Sequence, residues 1–451
     1  MFERAASNEA ARLSHEDMLR SRDRMRVVRA RRGGSRWRLL WLLVGPGVLV
    51  MLGENDGPSM LSYTATGARY GVGFFVPFIV LTFIGAMVVQ VMTVRVGAIT
   101  HRGYGELVFQ RYGGFWGWVS IGDLVLTNVI TLVTEFIAIR VGMAYFGIPP
   151  QLAVALGVLL VAFSITGGRY WRWERAALAL AAFNMLFVVA AVVSRPDYGA
   201  VGHALLTWSP LPGGSLQVLM LIVASNVGAT VTPWMIFFQQ SAVVDKGVTP
   251  KDLRQGRIDV VAGGLLAALA GCGALVAAAV LYTHHVIPPP GLGGADYAAA
   301  LLRVAGPAVP AILSLGLIEA GALACLTIST ATAYSVGEAI GGAHSFNRSF
   351  GEAPVFYGVI VGVALLSGLV VLIPGAPLLN ITLNANLLAT ILMPAALTFL
   401  ILLANDREIM GNRANNWPFN VAAALVMLLV VFAGAGSTIV TFIATVTGRP
   451  L

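Results

Sequence analysis

Charge is scarce in this chain. Only 11% of its 451 residues are Asp, Glu, Lys or Arg, while 57% are hydrophobic. A soluble globule carries about a quarter charged residues, so that class is excluded and a polytopic membrane protein is expected. Cysteine is limited to two residues. Cys272 and Cys325 sit in separate apolar runs without CxxC spacing, and both read as small core residues, neither disulfide partners nor metal ligands. No short apolar region followed by a small-residue cleavage site opens the chain, so no secretory signal peptide is expected. Nucleophile–base pairs, phosphate loops and complete metal triads are also missing, which argues against an enzyme. The net charge of +8 does not point to nucleic acid, because much of it is concentrated before the first apolar run. Arg20, Arg22, Arg24, Arg26, Arg29, Arg31, Arg32, Arg36 and Arg38 crowd that start. They read as a topology signal and a contact for anionic lipid.

What is abundant is apolar sequence of spanning length. Runs fall at 39–70 (broken), 73–97, 113–146, 150–166, 174–194, 215–241 (broken), 258–282, 305–338, 354–374, 378–403 and 417–446. They predict about eleven membrane spans in an all-α fold. Residues 1–36 form a basic tail with some helical periodicity (Met18, Leu19, Met25, Val27, Val28), suited to the membrane surface or to solvent. A cytoplasmic N-terminus places Arg95, Arg102, Arg111, Arg169, Arg172, Arg175, Lys246, Lys251, Arg254, Arg257, Arg348, Arg407 and Arg413 inside. Only Arg69, Arg195, Arg303 and Arg449 then lie outside, with Arg140 near the end of span three. That bias orients the chain with its C-terminus external. Trp37, Trp41, Trp116, Trp118, Trp171, Trp173 and Trp417 stand near span ends, as an aromatic belt requires. The adjacent His284 and His285 fall in a loop and read as solvated, since neighbouring residues there do not converge on one ion.

Two spans are interrupted. Gly53-Glu54-Asn55-Asp56-Gly57-Pro58-Ser59 breaks the first, and Asn226-Val227-Gly228-Ala229-Thr230-Val231-Thr232-Pro233-Trp234 breaks the sixth. Acid and freed backbone in mid-span cannot face lipid, so a discontinuous helix lining a cavity is expected. The plainer alternative is a helix–loop–helix with its acids in water. Matching breaks five spans apart predict a LeuT-type fold: two inverted repeats of five helices, with helices 1 and 6 discontinuous and an eleventh appended. The transmembrane unit then covers 37–446, with repeat one at about 37–194, repeat two at about 215–403 and helix eleven at about 417–446.

Pro233 has no N–H to donate and Gly228 relaxes the preceding turn, which releases carbonyls around Ala229. Asp56, Ser59, Thr232, the Ala229 carbonyl and the amide of Asn55 make an all-oxygen set. Such ligands suit magnesium, calcium or manganese, and a sparse set suits magnesium, which keeps several waters. Glu54 adjoins Asp56 but would point elsewhere on a helix, as a vestibule charge or an interhelical partner. Asp123 and Arg140 are too far apart to pair. Glu319 reads as a structural hydrogen bond to a neighbouring helix in preference to a transport role.

Several of these residues together carry a family likeness. Gly45-Pro46-Gly47, Asp56, Gln90, Arg95-Val96-Gly97, Gly228-Ala229-Thr230-Val231 with Pro233, and Asp406-Arg407-Glu408-Ile409-Met410-Gly411 look like the Nramp (natural resistance-associated macrophage protein) metal-ion transporters. The resemblance covers spans one to ten. It departs where typical members read Asp-Pro-Gly-Asn, here Asp56-Gly57-Pro58-Ser59. Their metal-binding methionine is matched by Thr232, and their proton-linked histidine by Trp234. Their Asp/Glu pair on span three is matched by Leu132 and Glu135, and a site-closing glutamine on span ten by Asn386. Loss of the thioether removes a soft ligand, and loss of histidine and one acid removes proton stations.

The pattern resembles the prokaryotic Nramp-related magnesium transporters, a branch described as lacking proton coupling. That resemblance implies magnesium uptake by alternating access at the inner (plasma) membrane, with manganese as a second cargo and no cofactor. Asp56, Ser59, Ala229, Thr232, Asn55 and Asn386 would hold the ion. Glu54, Gly57, Gly228, Pro233, Trp234 and Glu135 would line or gate its pathway. The partners implied are the cation and the bilayer. A proton-coupled manganese or iron transporter, a non-transporting ion sensor and an amino-acid symporter on the same fold stay open as alternatives.

Overall fold

Helix is the only backbone form that lets a lone apolar segment satisfy its own N–H and C=O groups in hydrocarbon, and each apolar run takes it. The computed structural model describes residues 27–30, 32–33, 36–167, 169–286, 294–376 and 378–447. Among them the helices are α1 (Arg36–Leu43), α2 (Pro46–Gly53), α3 (Gly57–Tyr70), α4 (Phe75–Thr100), α5 (Tyr104–Tyr112), α6 (Gly114–Tyr145), α7 (Pro150–Ser164), α8 (Tyr170–Ala181), α9 (Leu186–Val193) and α10 (Tyr198–Thr207). The second half follows with α11 (Leu216–Gly228), α12 (Pro233–Lys246), α13 (Leu253–Thr283), α14 (Gly294–Ala305), α15 (Ala308–Ile340), α16 (Pro354–Val371), α17 (Leu378–Asn405), α18 (Arg407–Met410) and α19 (Trp417–Thr447).

Nine helices among the described residues are long and apolar enough to cross a membrane. With α7 and the broken pair α2/α3 they account for all eleven expected runs. Both breaks fall where expected, between α2 and α3 and between α11 and α12. The second set of five starts from the opposite face to the first, which is the inverted LeuT-type arrangement. Proline opens α2, α7, α12 and α16, a position whose missing N–H has no intrahelical partner in any case.

The core is built from the broken spans and the helices around them. The most extensive helix pairings are α15 on α6 and α13 on α3. Small residues allow the close approach, as is usual between membrane helices. A Cβ on Gly67 would fall 2.0 Å from the Leu275 carbonyl oxygen, so α3 and α13 pack backbone to side-chain-free backbone there. A Cβ on Gly321 of α15 would likewise fall 2.7 Å from the Glu135 carbonyl oxygen of α6. On the face where α2 begins, Arg111 pairs with Asp406 at 2.6 Å and with Glu408 at 2.7 Å. The Glu408 hydrogen bond and the two carboxylate charges raise the Arg111 guanidinium above its ordinary value.

The aromatic-belt expectation holds for Trp37, Trp41, Trp116, Trp118 and Trp417, which are exposed, and fails for Trp171 and Trp173. Trp173 stacks on Phe346 at 4.8 Å between centroids, and Trp171 lies under the Lys246 ammonium. They begin α8, which packs inward. Cys325 is buried, Cys272 is half-buried and both are free thiols. His284 and His285 are exposed. Most of the basic tail lies outside the described residues.

Gly67→Ala forces a methyl into a carbonyl and should destabilise the detergent-purified protein by about 1–3 kcal/mol. Gly122 has nothing within 4 Å of its would-be Cβ, so Gly122→Ala should stay within about 0.5 kcal/mol. Paired thermal unfolding curves check both.

Candidate functional site

The first break is held open by carboxylates. α2 ends at Gly53, and Glu54 and Asn55 turn before Asp56 caps α3 by accepting the Ser59 N–H at 2.9 Å. The Gly57 N–H donates across to Glu135 Oε2 on α6 at 2.8 Å. Gly57 is needed for that approach, because a Cβ would lie 2.2 Å from the Ala138 methyl. The Asp56 and Glu135 carboxyl groups adjoin, and the Ser59 hydroxyl lies beside Asp56. Asp56, Glu54, Glu135 and Ser59 are all buried.

The second break is opened by proline and bound to the first. Pro233 starts α12 after the extended Thr232. The Thr232 hydroxyl donates to Glu54 Oε2 at 2.8 Å, so the two breaks are joined side chain to side chain. The Tyr63 hydroxyl donates to the Ala229 carbonyl at 2.8 Å. A Cβ on Gly228 would sit 2.0 Å from the Asn386 carbonyl oxygen, which fixes α17 against the end of α11. Further along the same half-helices Ser62 and Ser225 share a 2.5 Å contact, and Asn226 donates to Thr66 at 2.9 Å.

The expected residues therefore gather, with three differences. Glu54 does not point away from the second break: it closes α2 with helical dihedrals, its N–H on the Val50 carbonyl at 3.2 Å, and its carboxylate takes Thr232 as the interhelical partner. The Ala229 carbonyl is not simply released, because Tyr63 holds it. Asn55 turns its nitrogen toward spans five and seven, donating to Asn184 Oδ1 at 2.8 Å and to the Ala267 carbonyl at 2.9 Å. Asn386 and Gly228 meet at the second break, and Trp234, fully buried, turns its indole toward Glu54. Glu319 accepts from Asn184 at 3.1 Å, the expected link to a neighbouring helix.

The donors fit a hard cation. Glu54 Oε1 and Asn55 Oδ1 are buried oxygens without a protein hydrogen bond, and no sulfur or imidazole stands between Glu54 and Ser59 or between Ala229 and Pro233. Among the described residues no group of three or more His, Cys, Asp or Glu converges on a metal position. A sparse set of this kind leaves several coordination places to water.

A second polar layer lies toward the face where α2 begins. Asp259 of α13 accepts the N–H groups of Gly45 (3.0 Å), Gly47 (2.7 Å) and Val48 (3.2 Å), which α2 cannot satisfy itself. Beside it Lys246, at the end of α12, pairs with Glu174 at 2.7 Å and donates to the Val44 carbonyl at 2.9 Å. Tyr170 donates to Glu174 at 3.0 Å. Of these side chains only Lys246 stands out in the sequence, as a basic residue on the cytoplasmic side; the available signal for the rest was a lone acid, Asp259, inside an apolar run.

A family model described as natural resistance-associated macrophage protein-like matches residues 47–440. The divalent metal cation transporter MntH 1 of Pseudomonas aeruginosa is 25% identical over 437 residues, covering 90% of this chain and 92% of that protein. The divalent metal cation transporter MntH of Brucella suis is 26% identical over 328 residues, 70% of each. The fold is shared with the Eremococcus coleocola manganese transporter, solved with an aromatic bis-isothiourea substituted compound. Its TM-score is 0.71 at 19% identity, covering 91% of this chain and 89% of that one.

Lys246→Met leaves Glu174 buried without its cation and should cost about 3–5 kcal/mol. The double variant Lys246→Met/Glu174→Leu removes both charges and should recover much of that loss. Chemical or thermal denaturation of the three proteins reads the difference.

Proposed function

The chain belongs to the Nramp family, and on that premise we propose that it is a divalent metal cation transporter that prefers magnesium and works without proton coupling. The observation carrying this reading is the Thr232–Glu54 hydrogen bond between the two breaks. Where the family places a thioether, this chain presents a hydroxyl tied to a carboxylate, and oxygen donors favour hard cations over softer ones. The unpartnered oxygens of Glu54 and Asn55 suit a cation that retains part of its water, met partly through that water. Asp56 is the direct carboxylate ligand, with Ser59, Thr232 and the second lone pair of the Ala229 carbonyl around it. Trp234 occupies the place of the proton-linked histidine, which supports the absence of coupling.

The face where α2 begins is cytoplasmic, following the arginine bias. The cation enters from the opposite face, and the half-helices rock to release it inward. The membrane potential alone supplies about 2.3 kcal/mol per charge per 100 mV, and twice that for a divalent ion. Manganese is a second, poorer cargo.

Purified protein in liposomes under a fixed inside-negative potential should accumulate magnesium ahead of manganese without acidifying the lumen. Manganese-only uptake with acidification overturns the reading. Asp56→Ala should abolish uptake, and Thr232→Met should raise the manganese-to-magnesium uptake ratio.

A further inference from the structure

Span five is not a continuous α-helix. It tightens to a 3₁₀ turn over Ala182–Met185 between α8 and α9, a local change found in long helices at hinges or at strained sequence. At this turn Phe183 is 58% exposed, toward lipid, while Asn184 is fully buried. Asn184 joins two groups on other helices. Its nitrogen donates to Glu319 Oε2 of α15 at 3.1 Å, and its oxygen accepts from Asn55 in the first break at 2.8 Å.

The direction of this chain of hydrogen bonds is fixed from both ends. As a carboxylate Glu319 Oε2 can only accept, so Asn184 turns its NH2 group to it and its oxygen to Asn55. The Ala267 carbonyl can only accept, and Asn55 gives it the second N–H of the same NH2 group at 2.9 Å. Asn55 therefore has its nitrogen fully committed and its oxygen, Oδ1, left buried and without a protein partner in the broken segment next to Asp56. Were the amide reversed, its oxygen would face two acceptors. Among the described residues no Lys or Arg pairs with Glu319. The carboxyl group is thus held in the span for the acceptor it presents and not for an ion pair.

We propose that Glu319, acting through Asn184, is a positioning residue that sets the amide of Asn55 so that its oxygen, and not its nitrogen, is presented to the transported cation or its water. This rests on the reading that Asn55 belongs to the ion site. The consequence is a specificity device. An amide oxygen adds a neutral hard ligand, whereas a misturned amide would present N–H donors to a positive charge.

The test is a double-mutant cycle on magnesium uptake in liposomes, with KM and maximal rate measured separately and thermal unfolding recorded alongside. Asn55→Ala should raise KM roughly tenfold, the loss of about one oriented contact. Glu319→Leu should raise it by a similar factor, and the double variant should be no worse than Asn55→Ala. Glu319→Gln should restore KM, because its amide oxygen accepts the same bond. If Glu319→Leu fails to fold, Asn184→Ala takes its place in the cycle. Additive effects, a Gln variant as impaired as Leu, or a fall in maximal rate with KM unchanged each overturn the relay. Asp56→Ala separates the two levels. Uptake lost there while Glu319→Leu keeps its KM defeats the relay alone, whereas uptake retained in Asp56→Ala defeats the reading of the ion site.

Discussion

A backbone polar group freed inside hydrocarbon must find a partner, since leaving it bare costs several kcal/mol. Two interrupted helices at mid-membrane multiply that demand, and the surrounding structure answers it group by group. Asp56 takes the Ser59 N–H, Glu135 takes that of Gly57, and Tyr63 covers the Ala229 carbonyl. Asp259 holds three N–H groups at the start of α2. The buried carboxylates are distributed among these duties, so few are spare for the ion. That explains how four or more buried acids near the centre leave the proposed cation site sparse.

Much of this was legible in sequence because hydropathy and chain breakers report on backbone and burial. Run lengths gave the spans, and the acid with Gly57-Pro58 and the Gly228-to-Pro233 stretch gave the breaks. Side-chain direction was less accessible. Glu54 turns to Thr232, one of the two roles open to it, and helical spacing fails to relate it to Asp56 because Asp56 is extended while Glu54 still closes α2. Trp171 and Trp173 read from sequence as interfacial anchors, yet position near a span end says nothing about which way a helix faces. Trp173 instead stacks on Phe346, far along the chain.

The long-range polar partners were not readable at all. Asn184 looks like any amide in an apolar stretch until the 3₁₀ turn and its partners at Asn55 and Glu319 are seen together. Lys246 and Glu174 are 72 residues apart and meet only through the fold. A pattern of one residue type in one segment carries local information. Contacts that set an amide's orientation or bury an ion pair depend on how spans pack, and a single sequence does not hold that.

The two ends of the broken helices are closed by different chemistry. Toward one face neutral groups meet, Ser62 with Ser225 and Asn226 with Thr66. Toward the other, Lys246 and Glu174 close over the backbone just before α2 as a buried ion pair. Opening the first end rehydrates hydroxyls and amides, while opening the second returns two full charges to water. Hydration of charged groups becomes less favourable as temperature rises. Warming therefore holds the ionic end shut relative to the neutral one, and cooling loosens it. An ion pair at one end and neutral contacts at the other thus give the two ends different temperature dependences.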